Sequence, residues 1–334
     1  MLKKMLTILS SAMLVLTVAA CGGQSTSAPG GAAGGTSAGG GEQKFLTIAT
    51  GGSSGPYYTI GGAMSKVYKE KLGYNASVQS TGASVENINL LKTKKADMAF
   101  VMSDVASFAY NGQENFKEGG AIKELTAMAG LHLNVVQIVT LKDRNIKSVA
   151  DLKGKRVGVG APNSGVEVNA RMVLAGHGIT YNDIKADYLS YAEAIEQLKN
   201  NAIDAAFVTS GLPNSTVIDL MTTKDVEIVP IQKADVEKMA QQFPFFVSAE
   251  IPAGLYKNDQ PVPTAAIRNM MLVRSDLSED QVYKLTKEFF ENLDALKEAH
   301  SAAKEIDVKT AGKDLVVPLH PGAEKYFKEV GALN

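Results

Sequence analysis

Two segments of the chain, 107 residues apart, are so alike that they constrain the fold more than any other feature. Residues 89–103 read NLLKTKKADMAFVMS and residues 196–210 read EQLKNNAIDAAFVTS, and they align without a gap. Asp97 corresponds to Asp204, and Ser103 corresponds to Ser210. Each segment predicts the end of a helix, a turn, a buried strand and a small polar residue that opens a loop.

This repeat predicts two similar α/β lobes of roughly 100 residues each. Short β-type runs and helical patterns alternate past residue 43, with strands expected at 44–50, 76–80, 97–103, 155–161 and 204–210 and helices at 57–72, 84–95, 165–176 and 192–201. Since ligands bind at the carboxyl ends of strands in open α/β sheets, two facing lobes predict a ligand cleft between them. The alternative is a chance likeness, because helix–turn–strand units draw on few residue types.

The N-terminus is typical of an exported and lipid-anchored protein. Residues 1–20 have a basic start, a short apolar stretch and two final alanines, which predicts a signal peptide. The following VAAC resembles a bacterial lipobox, with lipidation of Cys21; the alternative is an ordinary cleavage site. Residues 21–42 then form the lipidated cysteine and a flexible Gly/Ser linker. We therefore expect an extracytoplasmic body, attached to the cell membrane by a lipid on Cys21.

Five predicted strands end in loops of small residues that precede helical patterns. These loops read GGSSGP, STGAS, SDVAS, GAPNSGVE and TSGLPNS. A helix N-terminus offers unpaired N–H groups and a partial positive charge, which suit carboxylates and carbonyls. In the fourth loop, Ser164 and Glu167 fit a capping box. Capping and tight turns explain a single such loop, whereas five at strand ends favour a binding site.

The first loop, GGSSGP at 51–56, is compatible with three kinds of site. A phosphate loop is disfavoured because no lysine follows the glycines closely. A nucleophile elbow matches G-x-S-x-G with Ser53, but it would follow the first strand, and neither His177 nor His320, two of the four histidines, has the context of a catalytic base. We therefore expect no enzyme, with a serine hydrolase as a minor alternative. The third kind of site, a loop at the entrance of a cleft that binds a small polar ligand, is the one that we expect.

Charge and composition exclude other classes of function. The chain has 34 Lys and Arg residues and 35 Asp and Glu residues, which gives no basic footprint for nucleic acid. Metal-ligand spacing is absent from the sequence, and we expect neither a metal nor a cofactor. Arg171 is expected to face solvent on its helix, with an anion clamp as the alternative. Because Tyr57 and Tyr58 point about 100° apart on a helix, at least one of them should edge the cleft.

Four stretches of the chain carry a family likeness: 48–68, 79–112, 151–174 and 207–220. They resemble the TAXI family, the extracytoplasmic solute receptors of tripartite ATP-independent periplasmic (TRAP) transporters. The resemblance implies a type II periplasmic-binding-protein fold, an α/β architecture with one lobe at 43–135 plus 245–334 and the other at 136–244. It also implies a monomer that captures a small organic anion or amino-acid-like solute, of the glutamate, glutamine or 2-oxo acid class, by lobe closure.

The same resemblance implies a set of ligand-binding residues on the loops. They are Ser53, Ser54, Tyr57, Tyr58, Ser84, Asn87, Ser103 and Asp104 from the first lobe, and Asn163, Ser164, Gly165 and Ser210 from the second. The solute would be delivered to the membrane subunits of a TRAP permease. The alternative partner is an ATP-driven (ABC) transporter or a signalling receptor.

Overall fold

One mixed sheet organises residues 44–334, the part of the chain that the computed structural model describes. Its ten strands are β1 (Phe45–Ala49), β2 (Asn75–Gln79), β3 (Met98–Met102), β4 (Leu125–Leu141), β5 (Arg156–Gly158), β6 (Lys185–Asp187), β7 (Ala205–Ser210), β8 (Val226–Val229), β9 (Phe246–Ile251) and β10 (Val262–Arg274). The predicted signal peptide, the lipidation site Cys21 and the linker at 21–42 lie outside the described residues.

The order of the strands repeats itself around two long central strands. It is β2-β1-β3-β10-β4-β7-β5-β6, with β8 paired to β4 and β9 to β10. Strands β1, β2 and β3 are parallel (the first half), and so are β5, β6 and β7 (the second half). The long strand β10 runs antiparallel to β3, and the long strand β4 runs antiparallel to β7. The two long strands also run antiparallel to each other. The two halves are therefore joined through β4 and β10.

The predicted duplication is present in the hydrogen bonds of the two halves. Oδ2 of Asp97 accepts a hydrogen bond of 2.8 Å from the N–H of Thr47 on β1. At the corresponding place, Oδ2 of Asp204 accepts one of 2.9 Å from the N–H of Arg156 on β5. Matching aspartates thus secure the first strand of each half, so the sequence repeat reflects a repeated structural unit.

Helices cover both faces of the sheet. Within the described residues there are eleven α-helices: α1 (Pro56–Leu72), α2 (Ser84–Lys92), α3 (Ser103–Asn111), α4 (Gly165–Gly176), α5 (Tyr191–Lys199), α6 (Ser215–Met221), α7 (Lys233–Gln242), α8 (Glu279–Glu291), α9 (Leu293–Ala299), α10 (Val308–Ala311) and α11 (Pro321–Glu329). No helix in this part of the chain combines the length and the apolar character that crossing a membrane requires.

Three clusters of buried apolar side chains form the core. The largest joins both halves on one face of the sheet, with Ile88 of α2 and Val173 of α4 among its members. A second cluster, with Tyr68 of α1 and Phe289 of α8, covers the opposite face of the first half. The third, with Leu198 of α5, covers the opposite face of the second half. Because both faces are covered, a binding site is left to the loops at the strand ends.

The nine elements predicted from the sequence are present, with ends that differ by three residues or fewer. The two long strands, β4 and β10, were not predicted. Both are buried on both faces over most of their length, and a strand of this kind shows a continuous apolar run instead of an alternation. The lobe boundaries at 135 and 245 remain a prediction.

Candidate functional site

A cavity of about 70 Å³ lies where the loops of the two halves meet. Its wall is formed by Gly51, Gly52, Ser54, Gly55, Pro56, Tyr57, Thr81, Ala83, Met102, Asn134, Ala161, Ser164, Val166, Ser190, Tyr191, Thr209 and Ser210. These residues lie at or just after the carboxyl ends of strands in both halves, except Asn134, which lies in the middle of β4. The volume suits a few water molecules or one small solute.

Five of the wall residues are helix N-caps. They are Gly55 of α1, Ala83 of α2, Met102 of α3, Ser164 of α4 and Ser190 of α5. The first N–H groups of a helix have no partner within it, and the helix dipole adds a partial positive charge there. Among the described residues, those that line the cavity include no charged side chain. The helix N-termini therefore set the local potential, and this potential favours an anion.

Only one of the two hydrogen bonds of the predicted capping box is present at the start of α4. The Oγ of Ser164 accepts a hydrogen bond of 3.0 Å from the N–H of Glu167, as predicted. The carboxylate of Glu167 does not return to Ser164; it accepts hydrogen bonds from Nε of Arg171 at 3.3 Å and from the hydroxyl of Tyr181 at 2.9 Å. The carboxylate of Glu167 thus binds the guanidinium of Arg171 and the hydroxyl of Tyr181 instead of the backbone N–H of Ser164.

Of the two adjacent tyrosines, Tyr57 forms part of the cavity wall, whereas Tyr58 is 37% exposed. The ring of Tyr57 stacks on Phe100, with centroids 4.9 Å apart. Its hydroxyl donates to Oδ1 of Asn269 and accepts a hydrogen bond of 3.2 Å from Nδ2 of Asn134. Burial raises the pKa of Tyr57 well above its ordinary value, so this hydroxyl stays neutral.

Four of the twelve residues predicted to bind ligand line the cavity: Ser54, Tyr57, Ser164 and Ser210. The other eight do not line it: Ser53, Tyr58, Ser84, Asn87, Ser103, Asp104, Asn163 and Gly165. Ser53 and Tyr58 face solvent, because the loop turns Ser54 inward and the helix turns Tyr57 inward in their place. Which of the twelve contact a ligand stays a prediction; the first four are the ones that lie on the cavity wall.

Two of these eight residues hold the loops of the first half in place. Asn87 is buried, with Nδ2 donating to the carbonyl of Phe100 at 2.8 Å and Oδ1 accepting from the hydroxyl of Thr81 at 2.7 Å. The Oγ of Ser84 accepts a hydrogen bond of 3.1 Å from the N–H of Met102. Both side chains position residues of the wall without reaching the cavity themselves.

Three more of the eight lie where the halves meet. Asn163 has a left-handed φ of 59°, and its carbonyl accepts hydrogen bonds of 3.2 Å from the N–H groups of Val85 and Glu86 on α2. A Cβ on Gly165 would lie only 2.6 Å from Oγ of Ser84, so α4 approaches α2 closely here. Asp104, at the start of α3, is fully buried and accepts a hydrogen bond from the second half, while its neighbour Ser103 begins the same helix.

A family comparison bears on this arrangement. The model of the NMT1-like family matches residues 48–331, which is almost all of the described chain. The chain belongs to the NMT1-like family.

This NMT1-like protein has the fold of type II periplasmic binding proteins, as predicted. It is similar to PhnD1 from Prochlorococcus marinus in complex with methylphosphonate, with 14% identity, a TM-score of 0.53 and coverage of 87% of this chain and 99% of that one. A protein of Bordetella bronchiseptica RB50 shares 18% identity at a TM-score of 0.50, covering 87% and 90%. A binding protein component of an ABC phosphonate transporter from Pseudomonas aeruginosa shares 14% identity at a TM-score of 0.46, covering 78% and 79%.

Several wall residues of the NMT1-like protein were not predicted. Ser190 begins the pattern Ser-x-x-Glu, and its complete capping box with Glu193 could have been found in the sequence. Thr81 and Thr209 fall in stretches that the sequence predicts as loops, although Thr209 is the penultimate residue of β7, and neither was predicted as a wall residue. Asn134 lies in the middle of the 17-residue strand β4, and no motif marks it.

Within residues 44–334, Ser53 makes no hydrogen bond to a histidine. All four histidines lie in the described part of the chain, and none of their recorded hydrogen bonds reaches Ser53 or Ser54. His132 is buried edge-on to Tyr57 with 6.3 Å between ring centroids, and burial lowers the pKa of His132 to about 3. Residues 44–334 also hold no cluster of three His, Cys, Asp or Glu residues that could bind a metal.

Proposed function

We propose that this NMT1-like protein is an extracytoplasmic solute-binding receptor that captures a small organic anion and delivers it to a membrane transporter. The observation that carries this proposal is the convergence of five helix N-termini on an uncharged cavity between two similar halves. The periplasmic-binding-protein fold supports it, and PhnD1, which shares this fold, is described with another small anion, methylphosphonate.

Capture would proceed by closure of the two halves as lobes about β4 and β10. Polar contacts join the loops of the two halves, such as the 3.0 Å hydrogen bond from Oγ of Ser215 to the carbonyl of Ser54. Opening would break such contacts and leave the paired long strands intact, as in hinge motions of binding proteins. Closure would surround the solute with N–H groups, hydroxyls and the ring of Tyr57.

The division into lobes that we propose differs from the predicted one at its second boundary. Strand β9 pairs with residues 262–267 of β10. Its Ile251 belongs to the same apolar cluster as Val139 of β4 and Val208 of β7. These contacts favour assigning β9 to the lobe of 136–244, so that the second crossing lies within β10.

Two classes of transporter are candidates for the membrane partner. The TRAP permease rests on the resemblance of the loop motifs to TAXI receptors. The ABC transporter agrees better with the comparisons, which include the binding component of such a transporter. The genes beside this one would separate them, because an ABC system requires an ATPase subunit and a TRAP system does not. A Cys21→Ala variant that leaves the membrane fraction would support the proposed lipid anchor.

A ligand screen tests the proposed function. The purified chain is heated with a panel of organic acids, amino acids, 2-oxo acids, sulphonates and phosphonates, and hits are followed by small-angle X-ray scattering. We expect one class to raise the melting temperature and to decrease the radius of gyration, since a ligand that binds only the folded, closed form stabilises it. Absence of any hit contradicts the proposal, and so does an ester hydrolase activity that Ser53→Ala abolishes.

A further inference from the structure

Most polar side chains of the cavity wall are already engaged by the protein. The hydroxyl of Tyr191 donates to the carbonyl of Thr209 at 2.6 Å. The Oγ of Ser190 donates to Oε2 of Glu193 at 2.7 Å, and the Oγ of Ser210 donates to a neighbouring backbone carbonyl at 3.2 Å. These hydroxyls shape the wall, and their donor hydrogens are not available to a ligand.

Two buried polar atoms of the wall have no partner among the described residues. They are Oδ1 of Asn134 and Oγ1 of Thr209, in side chains that are 3% and 0% exposed. The amide nitrogen of Asn134 donates to the hydroxyl of Tyr57, which donates onward to Asn269, so the oxygen of Asn134 is the atom left unpaired. Buried polar atoms are almost always hydrogen-bonded, so the two atoms of this pair are open to a group of the ligand.

The sheet register places these two atoms on the same side of the cavity floor. Thr209 of β7 pairs directly with Val136 of β4. Asn134 precedes Val136 by two residues, and side chains two apart on a strand share a face. Asn134 and Thr209 are therefore diagonal neighbours across two strands, close enough to contact one small group together.

The chemistry of this pair restricts the ligand group that faces it. An amide oxygen can only accept, so the group must donate a hydrogen bond. A 2-oxo group cannot donate and would leave Oδ1 of Asn134 unpaired. An ammonium could donate, but the wall offers it no carboxylate and surrounds it with helix N-termini. An uncharged hydroxyl meets both conditions, and Oγ1 of Thr209 can accept from or donate to it.

We infer that the solute belongs to the 2-hydroxy acid class, with its hydroxyl on Asn134 and Thr209 and its carboxylate toward the helix N-termini. The Oγ of Ser164 accepts from the N–H of Glu167, and its own hydrogen can be donated to that carboxylate. This inference rests on the proposed function and narrows its ligand.

Matched compounds that differ only at carbon 2 test the inference. Isothermal titration of the full-length chain compares the two enantiomers of lactate with pyruvate, L-alanine and propionate, and compares 2-hydroxyglutarate with 2-oxoglutarate and L-glutamate. We expect one hydroxy acid to bind about tenfold or more tightly than its 2-oxo, amino and unsubstituted analogues, the effect of one well-made buried hydrogen bond. Best binding of a 2-oxo or amino acid overturns the inference.

Two variants separate a ligand contact from a structural role. Thr209→Val keeps the shape of a side chain whose Oγ1 has no partner among the described residues. It should weaken binding of the hydroxy acid about tenfold and leave the affinity for propionate unchanged. Asn134→Asp adds the carboxylate that an ammonium needs, and it should shift the preference toward the amino acid. Thr126→Val, the same change on β4 outside the cavity wall, is the control and should preserve the preference.

The outcomes distinguish this inference from the function beneath it. If Thr209→Val lowers the affinity for all compounds equally, Thr209 has a structural role and the inference is overturned. Tight binding of an anion that has no hydrogen-bond donor next to its charged group also overturns it. Both results leave a solute-binding receptor in place. A failure of all these acids to bind, with a hit among the sulphonates or phosphonates of the broader screen, overturns the inference alone. A failure of the broader screen as well contradicts the proposed function itself.

Discussion

Asn169 on α4 donates a hydrogen bond of 2.7 Å from its Nδ2 to Oδ2 of Asp104 on α3, and so a buried carboxyl joins the two halves. The side-chain oxygen of Asn169 is buried without a hydrogen-bond partner among residues 44–334. Burial raises the pKa of Asp104 to about 7, although two backbone N–H groups, Asn169 and Arg171 all act to lower it. The interface between the halves therefore contains a carboxyl group that titrates near neutral pH.

Asp104 should make the stability of the protein depend on pH. Its pKa in the folded state, about 7, lies above the ordinary 3.8, so the folded protein holds a proton that the unfolded chain releases between these values. The contribution of Asp104 to the free energy of unfolding is therefore present at low pH and is lost as the pH rises from about 4 to about 7.

Urea unfolding across this pH window checks the effect. Asp104→Asn should remove that part of the pH dependence and be the more stable protein above pH 7. Asp294→Asn, at a side chain that is 91% exposed, should leave the dependence as it is in the parent. If Asp104→Asn unfolds with the same pH profile as the parent protein, the carboxyl of Asp104 does not titrate near neutral pH in the folded protein.

Gly165→Ala should hinder closure of the two halves. The new Cβ would lie 2.6 Å from Oγ of Ser84 and 3.0 Å from Sδ of Met102, both in the first half. We expect solute affinity to fall about tenfold or more with the melting temperature of the ligand-free protein little changed, because we propose that this contact forms only when the halves close around the solute.

Gly62→Ala provides the matched control within α1, where a Cβ meets nothing within 4 Å. It should leave affinity unchanged and raise the free energy of unfolding by about 0.5–1 kcal/mol, the usual gain at a helical position. Unchanged affinity in Gly165→Ala, measured by titration calorimetry, would rule out a close approach of α4 to α2 in the bound form.

Arg171 joins α4 to the 3-10 helix Glu114–Phe116 and does not line the cavity. Its Nη1 lies 2.7 Å from Oε2 of Glu114, and its Nε bonds to Glu167. The residue was expected to face solvent; it is 35% exposed, and two carboxylates already engage its guanidinium.

Arg171→Ala should therefore weaken solute binding by no more than about fivefold, because a half-exposed ion pair contributes about 1 kcal/mol or less. Lys94→Ala, which breaks the exposed ion pair with Asp276 within the first half, should have no effect on binding. A loss of about 100-fold in Arg171→Ala would instead show that the guanidinium contacts the solute directly.

Ala83→Gly should stabilise the protein. This N-cap residue has φ 84° and ψ −139°, a region that residues other than glycine rarely adopt. We expect the free energy of unfolding to rise by about 1 kcal/mol as the strain is relieved. Ala63→Gly within α1 should lower it by a similar amount, since helical positions favour alanine. Equal destabilisation of both variants in urea would mean that Ala83 is unstrained.

The repeat in the sequence was sufficient to predict the paired halves, because Asp97 and Asp204 occupy equivalent hydrogen-bonded turns. The cavity wall was predicted only in part. Ser54 and Ser53 are chemically alike, and only the path of the loop turns one of them inward. Asn134 lies on the wall because β4 crosses between the halves, and no local pattern encodes a contact that tertiary packing creates.

The most direct test of the account is a crystal structure of the chain with its solute. We predict density for one small anion within the cavity, its charged group among the N-caps of α1 and α4 and its body against the ring of Tyr57. An empty cavity in a crystal grown with a solute that binds in solution would contradict the account. Density in the separate groove that Arg171 and Tyr188 line together with Glu114 would also contradict it.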